Sequence, residues 1–232
     1  MEILKVNNLS KSYHNKSVLN NISFTINDHE IVGLLGPNGS GKSTLMKSIC
    51  QLVSIDSGNI AVCNLDITNN RKECLANMSV LIEGPSLYPK FTASKMIEIN
   101  ARLRSLDQNS YKIAYDYLDY DLTSKISHLS IGMKQELALA ICFMNQPLLY
   151  LLDEPTNGLD FDHVMKFRKQ LLFEKKQGRA ILISSHLLKE LETLADRFLL
   201  IKEGKIVGEF LNDHNLNLEE IYNQVINDVK ID

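Results

Sequence analysis

Two short runs in the chain have the residue types and spacing for phosphate chemistry. The first is Gly36-Pro37-Asn38-Gly39-Ser40-Gly41-Lys42-Ser43-Thr44, which matches GxxxxGK[ST]. An apolar run, Ile31–Leu35, precedes it, and a helix is expected over Thr44–Leu52. In that context the glycines let the backbone curl so that several N–H groups face inward. These groups and the N-terminus of the following helix can hold phosphates. Lys42 adds a point charge for β- and γ-phosphates, and the Ser43 hydroxyl is placed to ligate Mg²⁺. The second run, Leu148–Leu152, is apolar and ends in Asp153-Glu154. At a strand tip, Asp153 can hold a Mg²⁺ shell, while Glu154, pointing elsewhere, can orient and deprotonate water. Alone, such a pair reads equally well as two solvated acids in a turn. Beside a phosphate loop it reads as the other half of one site.

These residues need a scaffold that brings both runs to one edge. Ile31–Leu35 and Leu148–Leu152 are continuous apolar stretches, as expected of strands buried on both faces. Further strands are expected at Glu2–Asn7 and Ser23–Ile26, with a turn-rich segment between them, and at Asn59–Cys63, Ser79–Ile82 and Ala180–Ile183. Phe198–Ile201 and Lys205–Phe210 read as a hairpin around Glu203-Gly204. Helices are expected at Phe161–Lys176 and Leu187–Ala195, and an amphipathic one carries Leu218, Ile221, Tyr222, Val225 and Val229. Residues 93–147 change character. Met96, Ile97, Ile99 and Leu103, then Tyr111, Ala114, Tyr115 and Leu118, fall near helical spacing, and a third helix is expected over Gly132–Met144. The chain therefore reads as one α/β domain, residues 1–232, with a helical insertion. Ligands in such sheets bind beyond the carboxyl ends of the strands, where both runs end.

Bulk properties exclude several alternatives. The 232 residues carry 25 Lys+Arg against 28 Asp+Glu, a net charge of −3, so no basic footprint for a nucleic-acid partner stands out. Cys50, Cys63, Cys74 and Cys142 have neither CxxC spacing nor a histidine cluster and read as reduced, mostly buried thiols. The start, Met1-Glu2-Ile3-Leu4-Lys5, has no signal-peptide pattern. No run approaches the roughly 18–20 apolar residues that span a bilayer. If the protein works at a membrane, another chain is expected to cross it.

Nearly the whole chain resembles the ATP-binding subunits of ABC transporters. Besides the two runs above, Leu129-Ser130-Ile131-Gly132-Met133-Lys134-Gln135 resembles the family signature, and Asp153-Glu154-Pro155-Thr156-Asn157-Gly158-Leu159-Asp160 resembles its Walker B and D-loop run. His186 in Ile183-Ser184-Ser185-His186 matches the switch histidine, and Tyr13 matches the aromatic that stacks on adenine, although a tyrosine there could simply pack. The resemblance implies a P-loop NTPase core sheet of ABC type with an N-terminal antiparallel β subdomain and a helical insertion. It implies ATP and Mg²⁺ as ligands and a second ATPase subunit, here expected to be an identical copy because one chain holds every site element. Two chains would close head to tail, with Ser130 and the N–H of Gly132 contacting the γ-phosphate bound by the other. His186 would sense that phosphate. Asp160 would cap the helix at Phe161 and border the interface. A multi-span membrane permease would be the driven partner, holding this chain at the cytoplasmic face of the membrane.

Two departures narrow the resemblance. Glu83, in Val80-Leu81-Ile82-Glu83-Gly84-Pro85, stands where the family usually has glutamine. A carboxylate there can still ligate Mg²⁺ while changing the local charge, unless the loop is offset and Glu83 merely solvated. Ile131 and Met133 depart within the signature, so Ile131 is expected to turn away from the nucleotide. With Leu87-Tyr88-Pro89, these features resemble exporters of the bacitracin-resistance and lantibiotic-immunity type. The alternatives are a non-transport ABC ATPase acting on ribosomes or nucleic acid, and an importer ATPase. The single phosphate loop, the lack of long coiled coils or zinc modules, the short C-terminal region and Glu83 argue against them.

Overall fold

Five apolar strands lie side by side in the order in which they can bury both faces. The computed structural model describes residues 1–14, 16–186, 188–213 and 217–227. Its larger sheet contains β3 (Ile31–Leu35), β6 (Met78–Leu81), β7 (Leu149–Asp153), β8 (Ala180–Ser184), β9 (Arg197–Lys202) and β10 (Lys205–Leu211), ordered β10-β9-β3-β8-β7-β6. All neighbours are parallel except β10, which pairs antiparallel with β9 and closes one edge. Side chains alternate between faces, as strand geometry requires. Ile31, Leu35, Tyr150, Leu152, Ile181, Ile183, Phe198 and Leu200 point into one core. Val32, Leu34, Leu149, Leu151, Leu182, Leu199 and Ile201 point into the other.

The second core is roofed by a four-stranded antiparallel sheet, β2-β1-β4-β5, and by α1 (Lys42–Ile49). Its strands are β1 (Glu2–Tyr13), β2 (Lys16–Asn27), β4 (Ser57–Val62) and β5 (Leu65–Asp66). Here the sequence expectation needs correction, because β1 and β2 form one long hairpin rather than two short strands around a turn. From Val6 to Leu9 the first strand advances three residues while its partner, Phe24 to Ile22, advances two; from Leu9 to Lys11 the second strand takes the extra residue. Asn8 (φ 48°) and Asn21 (φ 56°) supply the left-handed residues of these two opposed bulges. Asparagine tolerates that conformation better than most residues, so the pairing continues past both.

The first core is covered by α3 (Ala93–Leu103), α4 (Gln108–Tyr117), α5 (Ile131–Met144), α6 (Phe161–Lys176), α7 (Leu188–Glu192) and α8 (Leu218–Asn227). A short helix, α2 (Arg71–Ala76), and β5 escaped the sequence reading; α2 buries only Cys74 and so leaves no periodic signal. Helix α1 starts at Lys42, two residues before its expected start, and ends three residues early at Ile49, where Gln51 turns left-handed (φ 53°). Leu187 and Val229, expected in the last two helices, lie outside the described residues. Among the described residues no helix is long and apolar enough to cross a membrane. The four cysteines are free thiols, with Cys50, Cys74 and Cys142 buried and Cys63 half-buried.

Candidate functional site

The carboxyl ends of β3, β7 and β8 meet at one level, because these strands run parallel in register with Asp153 opposite Ser184. The phosphate loop leaves β3 and enters α1 with Gly41 left-handed at φ 112°. A Cβ on Gly36 would lie 2.2 Å from the backbone oxygen of Ile201, so this loop position excludes any side chain. Lys42 is only 8% exposed, and its Nζ donates to the backbone oxygens of Gly36 at 2.7 Å and Pro37 at 3.2 Å. The ammonium thus folds back over the hollow of the loop. Burial pushes its pKa below the ordinary lysine value, while the nearby Glu154 and Asp153 carboxylates pull it back up.

Asp153 is held from two sides. The Ser43 hydroxyl donates to Oδ2 at 2.6 Å, and the Ser184 hydroxyl donates to Oδ1 at 2.6 Å. Glu154 is left-handed at φ 49°, an uncommon conformation for a glutamate. Its N–H donates to Ser184 Oγ at 3.0 Å and to the Ser184 carbonyl at 3.2 Å. The turn sends its carboxylate towards His186, whose Nδ1 lies 2.6 Å from Oε2 and whose backbone N–H donates to the same oxygen at 3.3 Å. Ser184 therefore organises both acids. It was missed as a site residue because the sequence offered it only as a neighbour of His186, and its pairing opposite Asp153 is set by the register of two distant strands.

Tyr13, Asn38, Gly39, Gly41, Lys42, Ser43, Thr44, Asp153 and Glu154 line one cleft of ≈ 340 Å³. Gly36, Pro37, Asn38 and His186 border a second, of ≈ 250 Å³, together with Tyr222 of α8, which the sequence marked only as part of an amphipathic helix. A wider cleft of ≈ 730 Å³ between α4 and α6 holds no motif residue. The polar donors converge at the two smaller ones. The oxygens of Ser43 and Asp153 form a hard-donor pair of the kind Mg²⁺ prefers. Ser40 Oγ in the phosphate loop is buried and has no hydrogen-bond partner among the described residues. This cradle, its buried ammonium and the oxygen pair fit a nucleoside triphosphate with its metal.

Other expected site residues lie apart from that cleft. Ser130 caps α5, its Oγ accepting from Met133 N–H at 3.1 Å, and it is solvent-exposed. The signature helix packs on the loop after Glu154: a Cβ on Gly132 would meet Gly158 O at 2.7 Å, and Gln135 Nε2 donates to Pro155 O at 2.7 Å. Ile131 is 76% exposed, with its Cγ2 beside Gly158. Asp160 caps α6, accepting from His163 N–H at 3.0 Å, and that bond holds its carboxyl below the usual range. Glu83 is exposed and ion-paired with Lys47 of α1, outside both clefts. Asp119, Glu136 and His163 gather near α6, but Lys166 already pairs with both carboxylates, which supplies the positive charge there.

Comparison with known proteins agrees with this geometry. A family model described as ABC transporter matches residues 19–157. The lantibiotic transport ATP-binding protein SrtF of Streptococcus pyogenes is 37% identical, over 97% of this chain and 97% of its own length. The bacitracin transport ATP-binding protein BcrA of Bacillus licheniformis is 32% identical, over 91% of this chain and 71% of its own. Among solved structures, an ATP-binding subunit of an ABC transporter superposes with a TM-score of 0.90 at 27% identity, covering 96% of this chain and 99% of that one. A dimeric ATP-binding cassette in a post-hydrolysis state, bound to ADP and Pi, superposes with a TM-score of 0.81, covering 91% and 99%; at 22% identity this likeness is of fold alone.

Proposed function

Because the chain belongs to the ABC transporter family, as an ATP-binding and ATP-hydrolysing subunit, we propose that it powers export of a membrane-active peptide antibiotic of the lantibiotic or bacitracin class. The observation that carries this reading is the 37% identity to a lantibiotic transport subunit across 97% of both chains. In this reading separate multi-span permease subunits form the path, and the chain sits on their cytoplasmic face; among the described residues no helix is long and apolar enough to cross a membrane.

Each residue has a part in this reading. The phosphate-loop N–H groups from Gly36 to Thr44 hold the β- and γ-phosphates at the start of α1. Lys42 exchanges its two backbone acceptors for phosphate oxygens; being buried, its ammonium gives up little hydration when it does so. Ser43 and Asp153 hold Mg²⁺, with Glu83 as a further ligand from the neighbouring loop. Magnesium, when bound, neutralises charge on the phosphate oxygens. Glu154 accepts a proton from the attacking water, and His186 keeps that carboxylate aimed while sensing the γ-phosphate. Tyr13 stacks on the adenine at the mouth of the cleft.

The exposed N-terminus of α5 supplies the rest. Ser130, which is exposed, and the N–H of half-buried Gly132 meet the γ-phosphate held by a second copy, with Asp160 at the rim of the contact. Closure on ATP and release after hydrolysis give the permease its two states. The test is purification of the tagged chain from detergent-solubilised membranes. Co-purification of a multi-span permease, with ATPase activity stimulated by a lantibiotic, is expected. Recovery with ribosomes, or with a permease that responds only to nutrients, contradicts the proposal.

A further inference from the structure

Ser43 and Lys47 stand four residues apart on α1, so their side chains leave the same face with Cβ atoms about 5–6 Å apart. Ser43 reaches Asp153, while Lys47, one turn further on, forms an ion pair with the Glu83 carboxylate. Glu83 enters this pair from an unusual backbone. It has φ 59°, and Gly84 follows at φ 84°, so β6 leaves the sheet through two consecutive left-handed residues before the loop to α3. A Cβ on Gly84 would meet nothing within 4 Å, so the glycine there serves the backbone angle rather than a tight contact. The Glu83 carboxylate is therefore anchored by a cation one helical turn along α1 from Ser43, outside the cleft that Ser43 and Asp153 line.

The geometry points to Lys47 as a positioning residue that holds Glu83 away from the Ser43–Asp153 oxygen pair, so that Glu83 must exchange Lys47 for Mg²⁺ when the nucleotide site closes. The inference rests on the reading of Glu83 as a Mg²⁺ ligand. Charge explains why a glutamate calls for such a partner. A neutral glutamine would hold Lys47 only through an amide oxygen and would leave it readily. A glutamate brings a full negative charge to the metal but also forms a true ion pair with the lysine. Metal and lysine then compete for one carboxylate, and the hinge at Glu83-Gly84 lets it change partner. The Glu83 side chain is 64% exposed, so water screens the pair and the exchange is easily reversed. An exposed pair of this kind shifts an equilibrium by about two- to five-fold.

The test reads binding rather than turnover. A fluorescent ATP analogue is titrated into the purified protein with Mg²⁺ and again with EDTA, and the ratio of the two affinities isolates the metal-dependent part. General attraction between Lys47 and the phosphates enters both titrations and largely cancels in that ratio. Lys47→Met is expected to raise the ratio about two- to five-fold, and Lys47→Arg to keep it at the wild-type value. In a Glu83→Gln background, Lys47→Met is expected to leave the ratio unchanged, because the competing pair is already gone. If Glu83→Gln and Glu83→Ala both leave the wild-type ratio as it was, Glu83 does not reach the metal, and the inference falls with that reading. If they shift it while Lys47→Met does not, Glu83 is a ligand but Lys47 does not restrain it.

Discussion

Replacing Ser184 by alanine removes one hydroxyl and disturbs both acids of the site. Its Oγ is buried, donates to Asp153 Oδ1 at 2.6 Å and accepts from Glu154 N–H at 3.0 Å. A hydrogen bond to a charged group is worth about 1.5–3 kcal/mol. The Glu154 N–H keeps the Ser184 carbonyl at 3.2 Å, so that donor is not orphaned. The stability loss is therefore dominated by the Asp153 bond and should be about 2 kcal/mol, which lowers Tm by about 4–8 °C in a chain of this size. The effect on rate is expected to be larger. Glu154 sits in a left-handed conformation that its neighbours must hold against strain. Loosening a proton acceptor by about 1 Å costs about 100-fold. Ser184→Ala should reduce kcat by about 10–100-fold while ATP affinity, set by Lys42 and the loop, stays within about three-fold. The measurements are calorimetric unfolding, steady-state ATPase and nucleotide titration. An unchanged Tm together with an unchanged kcat would refute the idea that Ser184 organises the two carboxylates.

Tyr13→Ala should weaken ATP binding about ten-fold and Tyr13→Phe should preserve it, as read by nucleotide titration, because stacking needs the ring and not the hydroxyl. Gly132→Ala places a Cβ 2.7 Å from Gly158 O and must push the signature helix off the loop beyond Glu154; kcat is expected to fall about 10–100-fold with ATP binding by the isolated subunit intact. Burial pushes the Cys142 thiol up to about 12, so at about pH 8 a disulfide reagent should modify half-buried Cys63 first and Cys142 only after unfolding.

The core of the site was legible because its physics is local. Ile31–Leu35 and Leu149–Leu152 are buried on both faces and therefore uniformly apolar, and each ends abruptly at the phosphate loop or the acid pair. Helix α6 was read to the residue, since Asp160 caps its start and its amphipathic run is long. What the sequence hid depends on contacts between distant segments. The β1–β2 hairpin looked broken because Asn8 and Asn21 read as turn residues, whereas each bulge is tolerated only because the partner strand accommodates it. Ser184 matters through its register with Asp153, and Tyr222 through where α8 lands. Glu83 was expected beside the metal; its pairing with Lys47 arises from two chain segments 36 residues apart, and no local pattern announces it.

In the proposed mechanism Glu154 is the proton acceptor within an ATP-closed pair of chains. Glu154→Gln keeps the shape of the side chain and removes the base. Sedimentation velocity with Mg²⁺ and ATP, run beside an ATPase assay, tests this most directly. The variant is expected to bind ATP, to lose turnover and to sediment as a stable dimer only when ATP is present. A Glu154→Gln protein that hydrolyses ATP at the wild-type rate, or that binds ATP yet stays monomeric at saturation, would contradict it.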